Sequence, residues 1–532
     1  MSSAATPARA APALPPGPEL PATFVPIRVD DGVRASAQRT PDKVALAEGS
    51  RELTYRELVE RIDRVRTATA LGLGLAPGEH AAIFSPNCLE FVEIVCGLAG
   101  AGVAPALVNS RATAEELQFI CDDSTARVLF VHPDLEETAR AATLNSVGEI
   151  IVLGERYDRW RQTARPAAEP STAREWDTFS IPYTAGTTGS PKGVLLPHRS
   201  RSLTFFAMAA EFGCYGVNDR ALALAPLYHG AGFCFALAPL FFGGFTEIHA
   251  GFDPEAVLTG LRDKHLTSVF MVPSHFRAIF DLGRDVLDRA RPGALKTIIS
   301  NAAPLPQAMK ARIVDYFGEG ILFECYGSTE GGIVSDLRPA DQLRKEACVG
   351  LPFPSTFVRL LDDDGLEVPA GEVGELHSRS PFMFNGYWNR PGETASAIRD
   401  GWCSVGDLAR RDEEGYLYIV DRKDDMIVSG GVNIYPREIE EAIGRHPGVA
   451  EVAVFGAPDD RWGQAVHAAV IVRPGTSLAG GELLATCDHL ARYKRPKAIR
   501  IVDALPRNAA GKVLRRRLRA DAAGAAPAGG GA

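Results

Sequence analysis

The segment Tyr183-Thr-Ala-Gly-Thr-Thr-Gly-Ser-Pro-Lys-Gly193 gathers the groups that a polyphosphate needs. Gly186 and Gly189 let the backbone come close to an anion. The hydroxyls of Thr187, Thr188 and Ser190, the exposed N–H groups and the Lys192 ammonium all suit phosphate oxygens. It is not a Walker A loop, because no Gly-Lys-Ser/Thr stands at that motif's distance after a glycine. Composition alone leaves a second reading open, a flexible surface turn of Gly, Thr and Ser.

The segment resembles the signature loop of the adenylate-forming (ANL) superfamily, which includes acyl-CoA synthetases, nonribosomal-peptide adenylation domains and firefly-type luciferases. The family usually has Ser where Ala185 stands, so one hydroxyl is missing while the glycines and Lys192 remain. The resemblance runs from about residue 28 to about residue 516 and points to the AMP-dependent acid–CoA ligase branch. Pro226-Leu-Tyr-His-Gly-Ala-Gly232 is similar to the family's segment beside the acyl pocket, which places His229 where the carboxylate meets the thiol channel. Tyr326-Gly-Ser-Thr-Glu-Gly331 resembles the adenine and metal segment. Tyr326 offers a flat face for a purine, and Thr329 can donate to the α-phosphate. Glu330 is a hard oxygen ligand suited to Mg²⁺.

Ser300-Asn-Ala-Ala-Pro304 resembles the loop along the adenine. Family members commonly have Gly where Asn301 stands, which makes Asn301 a specificity residue for the acid. The resemblance adds Thr184, Ala302, Ala303 and Cys325 to the nucleotide's contacts. In Gly401-Trp-Cys-Ser-Val-Gly-Asp407 and Tyr416-Leu-Tyr-Ile-Val-Asp-Arg422 it gives Asp407 the ribose hydroxyls, Arg422 the same sugar, and Asp421 the hinge. Ser429-Gly-Gly-Val-Asn-Ile-Tyr-Pro436 resembles the loop lining the pantetheine tunnel, where Gly430 and Gly431 let a strand lie against a thin thiol chain. Pro506-Arg-Asn-Ala-Ala-Gly-Lys512 matches the C-terminal catalytic-lysine motif. A cation at Lys512 stabilises the charge that builds as a carboxylate attacks phosphorus.

These segments need elements to hold them. Helical spacing over Tyr55–Ala70, Leu89–Ala101 and Ala114–Asp122 alternates with apolar strands at His80–Phe84, Val103–Val108 and Val128–Val131. The rhythm predicts a doubly wound α/β domain. It recurs at Thr267–Val272, at Thr297–Ile299 and in a helix from about Pro306. After Cys348, short strands between Gly turns predict a small β-rich subdomain. Beyond Asp421 come helices over Pro436–Arg445 and Gly481–Leu490 and strands over Val449–Val454 and Ala465–Val472, a smaller mobile α+β domain. The expected organisation is a disordered lead over 1–24, an N-terminal adenylation domain over 25–421, a C-terminal mobile domain over 422–519, and a disordered tail over 520–532.

A chain of 532 residues with a formal charge of −9 has ample core and no basic excess, which argues against a general nucleic-acid binder. The 9 cysteines form no C-x-x-C pair, so zinc and redox sites are not expected and a reducing cytoplasm is. Pro15, Pro16 and Pro18 interrupt every candidate secretory h-region. The greasiest stretch, Phe233–Phe245, is too short for a membrane span, is broken by Pro239, Gly243 and Gly244, and reads as buried core.

The expected function follows from the resemblance. ATP and Mg²⁺ activate a small carboxylic acid as acyl-AMP, releasing pyrophosphate, and coenzyme A takes the acyl group. The pocket residues it suggests are His229, Phe233, Phe276, Asn301, Ser328 and Ile333; none is basic, which favours an aromatic or medium aliphatic monocarboxylic acid over a diacid. A carrier-protein pantetheine or an amine is an alternative acceptor, and a non-carboxylate oxyanion an alternative substrate. A non-catalytic nucleotide-binding protein would be marked by loss of Lys192, Glu330, Asp407 or Lys512, and all four are present. The chain is expected to act as a monomer or homodimer.

Overall fold

The computed structural model describes residues 21, 23–166, 171–185, 191–476, 478–507 and 513–524. The chain forms two compact units, one of residues 1–182, 195–209 and 215–251, the other of 183–194, 210–214 and 252–532.

The first unit is doubly wound, as its alternating pattern predicts. Strands Glu149–Val152, Ala126–Val131, His80–Phe84 and Ala104–Val108 lie side by side and parallel. The helices between them start where the sequence supplies caps. Thr54 and Glu57 form a capping box at the head of Tyr55–Thr67, and Thr113 and Glu116 form another at Ala114–Asp123. Helix Leu89–Gly100 is buried along its whole length. Its Glu93 needs partners there, and takes an ion pair from Arg61 and a 2.6 Å hydrogen bond from the Tyr157 hydroxyl.

The greasy stretch after His229 is indeed core, with one correction. Helix Gly230–Phe241 runs through Pro239 and stops two residues later. Pro239 removes a single N–H near the helix end, and the Gly244 N–H closes the chain onto the Pro239 carbonyl at 2.8 Å.

In the second unit, parallel strands Ser268–Met271, Thr297–Ser300 and Leu322–Ser328 are followed by antiparallel Gly332–Leu337 and Leu351–Pro352. The β-rich part expected after Cys348 is an antiparallel sheet that includes Phe357–Leu361, Val373–Arg379, Asp407–Arg411 and Leu417–Arg422. The last part is α+β. Strands Val449–Asp459 and Gly463–Val472 form a long hairpin, and helix Pro436–Gly444 closes a core of Ile427, Ile439, Ile443, Val454 and Val470. Two boundaries differ from expectation. The helix expected over Gly481–Leu490 is Gly480–Ala485 and gives way to turns. Helix Arg515–Gly524 carries past the expected tail boundary at residue 520, with Leu518 buried against Phe455 and Leu505.

No helix among the described residues is long and apolar enough to cross a membrane. All nine cysteines are buried thiols.

Candidate active site

The Tyr326–Gly331 segment is a tight hairpin between strands Leu322–Ser328 and Gly332–Leu337. The register shifts between Tyr326 and Gly327, and a Cβ on Gly327 would lie 2.1 Å from the Gly332 carbonyl oxygen. The hairpin therefore closes only with glycine there. Ser328 steadies the turn by accepting from the Gly331 N–H at 2.8 Å.

The bulge brings the Tyr326 hydroxyl to Asp407, to whose carboxylate it donates. Asp407 begins strand Asp407–Arg411 and lies across from Arg422 in register. The Arg422 Nε is 3.2 Å from Asp407 Oδ1, and a second guanidinium nitrogen donates to the Val405 carbonyl at 2.6 Å. Burial, and then the Asp407 charge, push the Tyr326 phenol well above its ordinary pKa, so it stays a donor.

Tyr326, Asp407 and Arg422 line one cavity of about 400 Å³, together with Asn301, Ala302, Ala303 and Cys325. Ala302 holds a positive φ of 72°, and the Asn301 side-chain oxygen accepts from its N–H. Asn301 thus caps its own loop beside Tyr326.

A second cluster surrounds Lys192. Strand Pro191–Gly193 pairs with the end of strand Thr178–Ala185, setting Lys192 opposite Thr184. The Lys192 ammonium is ion-paired with Glu393 and lies 5.3 Å from the centroid of the Tyr387 ring. The Tyr387 hydroxyl donates to Glu330 Oε1 at 2.8 Å. Glu330 is buried, and Thr329 beside it is half-buried.

Among the described residues no three His, Cys, Asp or Glu side chains gather as a metal cage. A single carboxylate such as Glu330 nevertheless fits Mg²⁺, which commonly takes one or two carboxylates and completes its shell with phosphates and water.

Asp421 sits inside strand Leu417–Arg422, not in a loop. Its carboxylate accepts from the Arg422 N–H at 2.8 Å and the Arg437 N–H at 3.0 Å, and burial raises its pKa. Beyond it, Arg515 is bound to Glu440 at 2.6 Å and Asp425 at 3.1 Å. Arg437, Glu440 and Arg515 line the same cavity as Asp407.

Gly430 and Gly431 both have positive φ, 58° and 80°. The Trp462 ring lies 2.7 Å from where a Cβ on Gly430 would stand, whereas Gly431 faces open space. Phe276 and Ile333 are buried in the second unit but do not line the cavity; nor does Ser328. His229 and Phe233 belong to the first unit. Phe233 packs against Phe91 and Phe179 at 6.1 and 5.6 Å between centroids. His229 precedes helix Gly230–Phe241 with its ring 4.7 Å from that of Tyr228. His229 is exposed at the surface, yet the protein packed around it excludes enough water to lower its pKa. Gly186, Thr187, Thr188, Gly189, Ser190 and Lys512 lie outside the described residues.

Sequence reasoning missed Tyr387, Glu393, Arg437, Glu440 and Arg515. Only Arg515 carried a signal, as the first of three arginines soon after Lys512. The others look like ordinary surface residues until the fold brings them in.

Residues 33–388 match the AMP-binding enzyme family, and residues 438–512 match the AMP-binding enzyme C-terminal domain. The chain belongs to the AMP-binding enzyme family. Among curated relatives of this AMP-binding enzyme, the feruloyl-CoA synthase of an Amycolatopsis species is 36% identical, covering 91% of this chain and 96% of its own length. The fatty acid–[acyl-carrier-protein] ligase ScoC of Streptomyces coeruleorubidus is 32% identical, covering 91% of this chain and 94% of its own. Among solved structures, the O-succinylbenzoate coenzyme A synthetase of Bacillus subtilis, in complex with ATP and a magnesium ion, superposes with a TM-score of 0.81 at 28% identity. The match covers 92% of this chain and 99% of that one.

Proposed function

We propose that this AMP-binding enzyme converts a monocarboxylic acid to its acyl-AMP and then to the coenzyme A thioester. The observation that carries the reading is the Tyr326–Asp407–Arg422 group around a cavity of nucleoside size. Tyr326 presents its ring to the purine. Asp407 keeps lone pairs free for the ribose hydroxyls while Tyr326 and Arg422 hold it in place. Lys192 and Thr184 bind phosphate oxygens, with the loop of Gly186, Thr187, Thr188 and Gly189 completing the cradle. Thr329 donates to the α-phosphate, and Glu330 is the carboxylate that would hold Mg²⁺. When bound, that ion neutralises polyphosphate charge. Lys512 stabilises the charge that builds as the acid's carboxylate attacks the α-phosphorus and pyrophosphate leaves. Residues 422–519 then turn about Asp421 and bring Gly430 and Gly431 to the thiol, which attacks the acyl carbon and releases AMP. Splitting the condensation in two lowers each barrier.

The deciding experiment is acid-dependent exchange of pyrophosphate into ATP over a panel of aromatic and aliphatic acids, with the products weighed with and without coenzyme A. AMP and pyrophosphate are the expected nucleotide products; ADP and orthophosphate with every active acid refute the reading. One relative is a ligase of an acyl carrier protein. A pantetheine on a carrier protein is therefore the second acceptor, and it replaces coenzyme A if only an added carrier gains the acyl mass.

A further inference from the structure

The segment from Phe382 to Thr394 is fastened to both candidate phosphate-binding elements. Its Phe384 N–H donates to the Glu330 carbonyl at 2.9 Å. The Trp388 N–H donates to the Gly193 carbonyl at 2.9 Å, and Tyr387 bridges to Val194. Thr394 fixes the bend. Its hydroxyl accepts from the Tyr387 N–H and donates to the Arg390 carbonyl, both at 2.9 Å. The segment thus ties the return arm of the phosphate loop to the Tyr326–Gly331 turn, and the ties meet at Tyr387.

We propose that Tyr387 is a positioning residue that aligns the Glu330 carboxylate and the Lys192 ammonium for a triphosphate and its cation. This rests on the nucleotide reading above. The torsion that turns a glutamate carboxylate is broad. The phenol narrows it: with Glu330 Oε1 engaged at 2.8 Å, Oε2 is the oxygen left to face a hard cation. The ring acts separately. Its face is negative and attracts an ammonium, so Lys192 keeps its place when its partner Glu393 is exchanged for phosphate. Phe384 holds the ring from its side, edge-on at 5.0 Å. One side chain therefore serves two opposite charges through two parts that substitution can separate.

The test is ATP binding to the full chain by calorimetry, once with excess Mg²⁺ and once with EDTA. Tyr387→Phe keeps the ring and loses the hydroxyl. Its affinity in EDTA should stay within about twofold of wild type, while the enhancement by Mg²⁺ falls about tenfold. Tyr387→Leu loses both parts and should also weaken binding in EDTA, by about threefold to tenfold. Thermal melts report whether each variant is folded, and the Phe variant, smaller by one oxygen, decides the matter even if the Leu variant is not. A Phe variant with the full Mg²⁺ enhancement overturns the proposal. So do Phe and Leu variants that weaken both conditions in one proportion. A wild type that binds no ATP overturns the nucleotide reading itself, and a wild type indifferent to Mg²⁺ removes Glu330 from the cation; neither outcome resembles a fault confined to Tyr387.

Discussion

Asp407 should choose between ATP and its deoxy analogues, and the structure gives the arithmetic. A carboxylate offers about four lone-pair sites. Tyr326 occupies one on Oδ2, and Arg422 lies against Oδ1, which leaves about two for two ribose hydroxyls. Asp407→Asn keeps the shape, removes the charge and replaces one acceptor by a donor. A hydrogen bond to a charged group contributes about 1.5–3 kcal/mol, so ATP affinity should fall about tenfold to a hundredfold. Asp407→Ala should lose at least as much, because it also leaves the half-buried Tyr326 hydroxyl and Arg422 without their partner. The assay is binding of ATP, 2′-deoxy-ATP and 3′-deoxy-ATP, with pyrophosphate exchange as the kinetic counterpart. Wild type should bind both deoxy analogues less tightly than ATP, and Asp407→Asn should bind all three nearly alike. A loss of fold alone would weaken the three in equal proportion and leave their ranking intact. If Asp407→Asn still ranks the nucleotides as wild type does, Asp407 does not touch the ribose.

Three further outcomes test other parts of the molecule. Lys512→Ala should cripple acyl-AMP formation while coenzyme A still consumes acyl-AMP supplied from outside, and equal loss of both half-reactions refutes the hinge account. Glu393→Gln should lower the KM for ATP about twofold to fivefold, because it removes a partly exposed anion that competes for Lys192, a pair worth at most about 1 kcal/mol; a raised KM refutes that competition. Asp336, buried beside Glu211, has its carboxyl pushed up to about 8 from 3.8, first by burial and then by that neighbour. The folded state therefore holds a proton that the unfolded chain releases, and wild-type stability should fall as pH rises from about 4 to about 8. Asp336→Asn should flatten that decline in the urea midpoint, and parallel pH profiles for the two proteins would falsify the assignment.

The sequence determined what is local. The helices read from apolar spacing at Tyr55 and Ala114 form there, and each starts on a capping box within its own segment, Thr54 with Glu57 and Thr113 with Glu116. The run Leu89–Gly100, apolar except for Glu90 and Glu93, reads as helix from its spacing, and it is buried along its whole length because Arg61 and Tyr157 satisfy Glu93. The tight turn at Ser328-Thr-Glu330 is local too, since the flanking Gly327 and Gly331 let the chain reverse there. Pro239 misled because a proline's effect depends on whether turns follow it, and here only the helix's last residues do.

The tertiary structure decided which groups meet. Tyr326 and Asp407 are 81 positions apart, Glu330 and Tyr387 57, Glu440 and Arg515 75. Resemblance assigned Tyr326, Asp407 and Glu330 separately, and Tyr387 and Glu440 not at all. The contact between the Asn301 side-chain oxygen and the Ala302 N–H likewise belongs to the folded loop, where Ala302 adopts a left-handed bend. Periodicity and capping are properties of neighbours along the chain, set by a helix turn or a strand's alternation. The partner of a phenol or a guanidinium is set by how sheets and turns stack, and closing a loop of 57 or 81 residues costs nearly the same whichever side chain waits at its end.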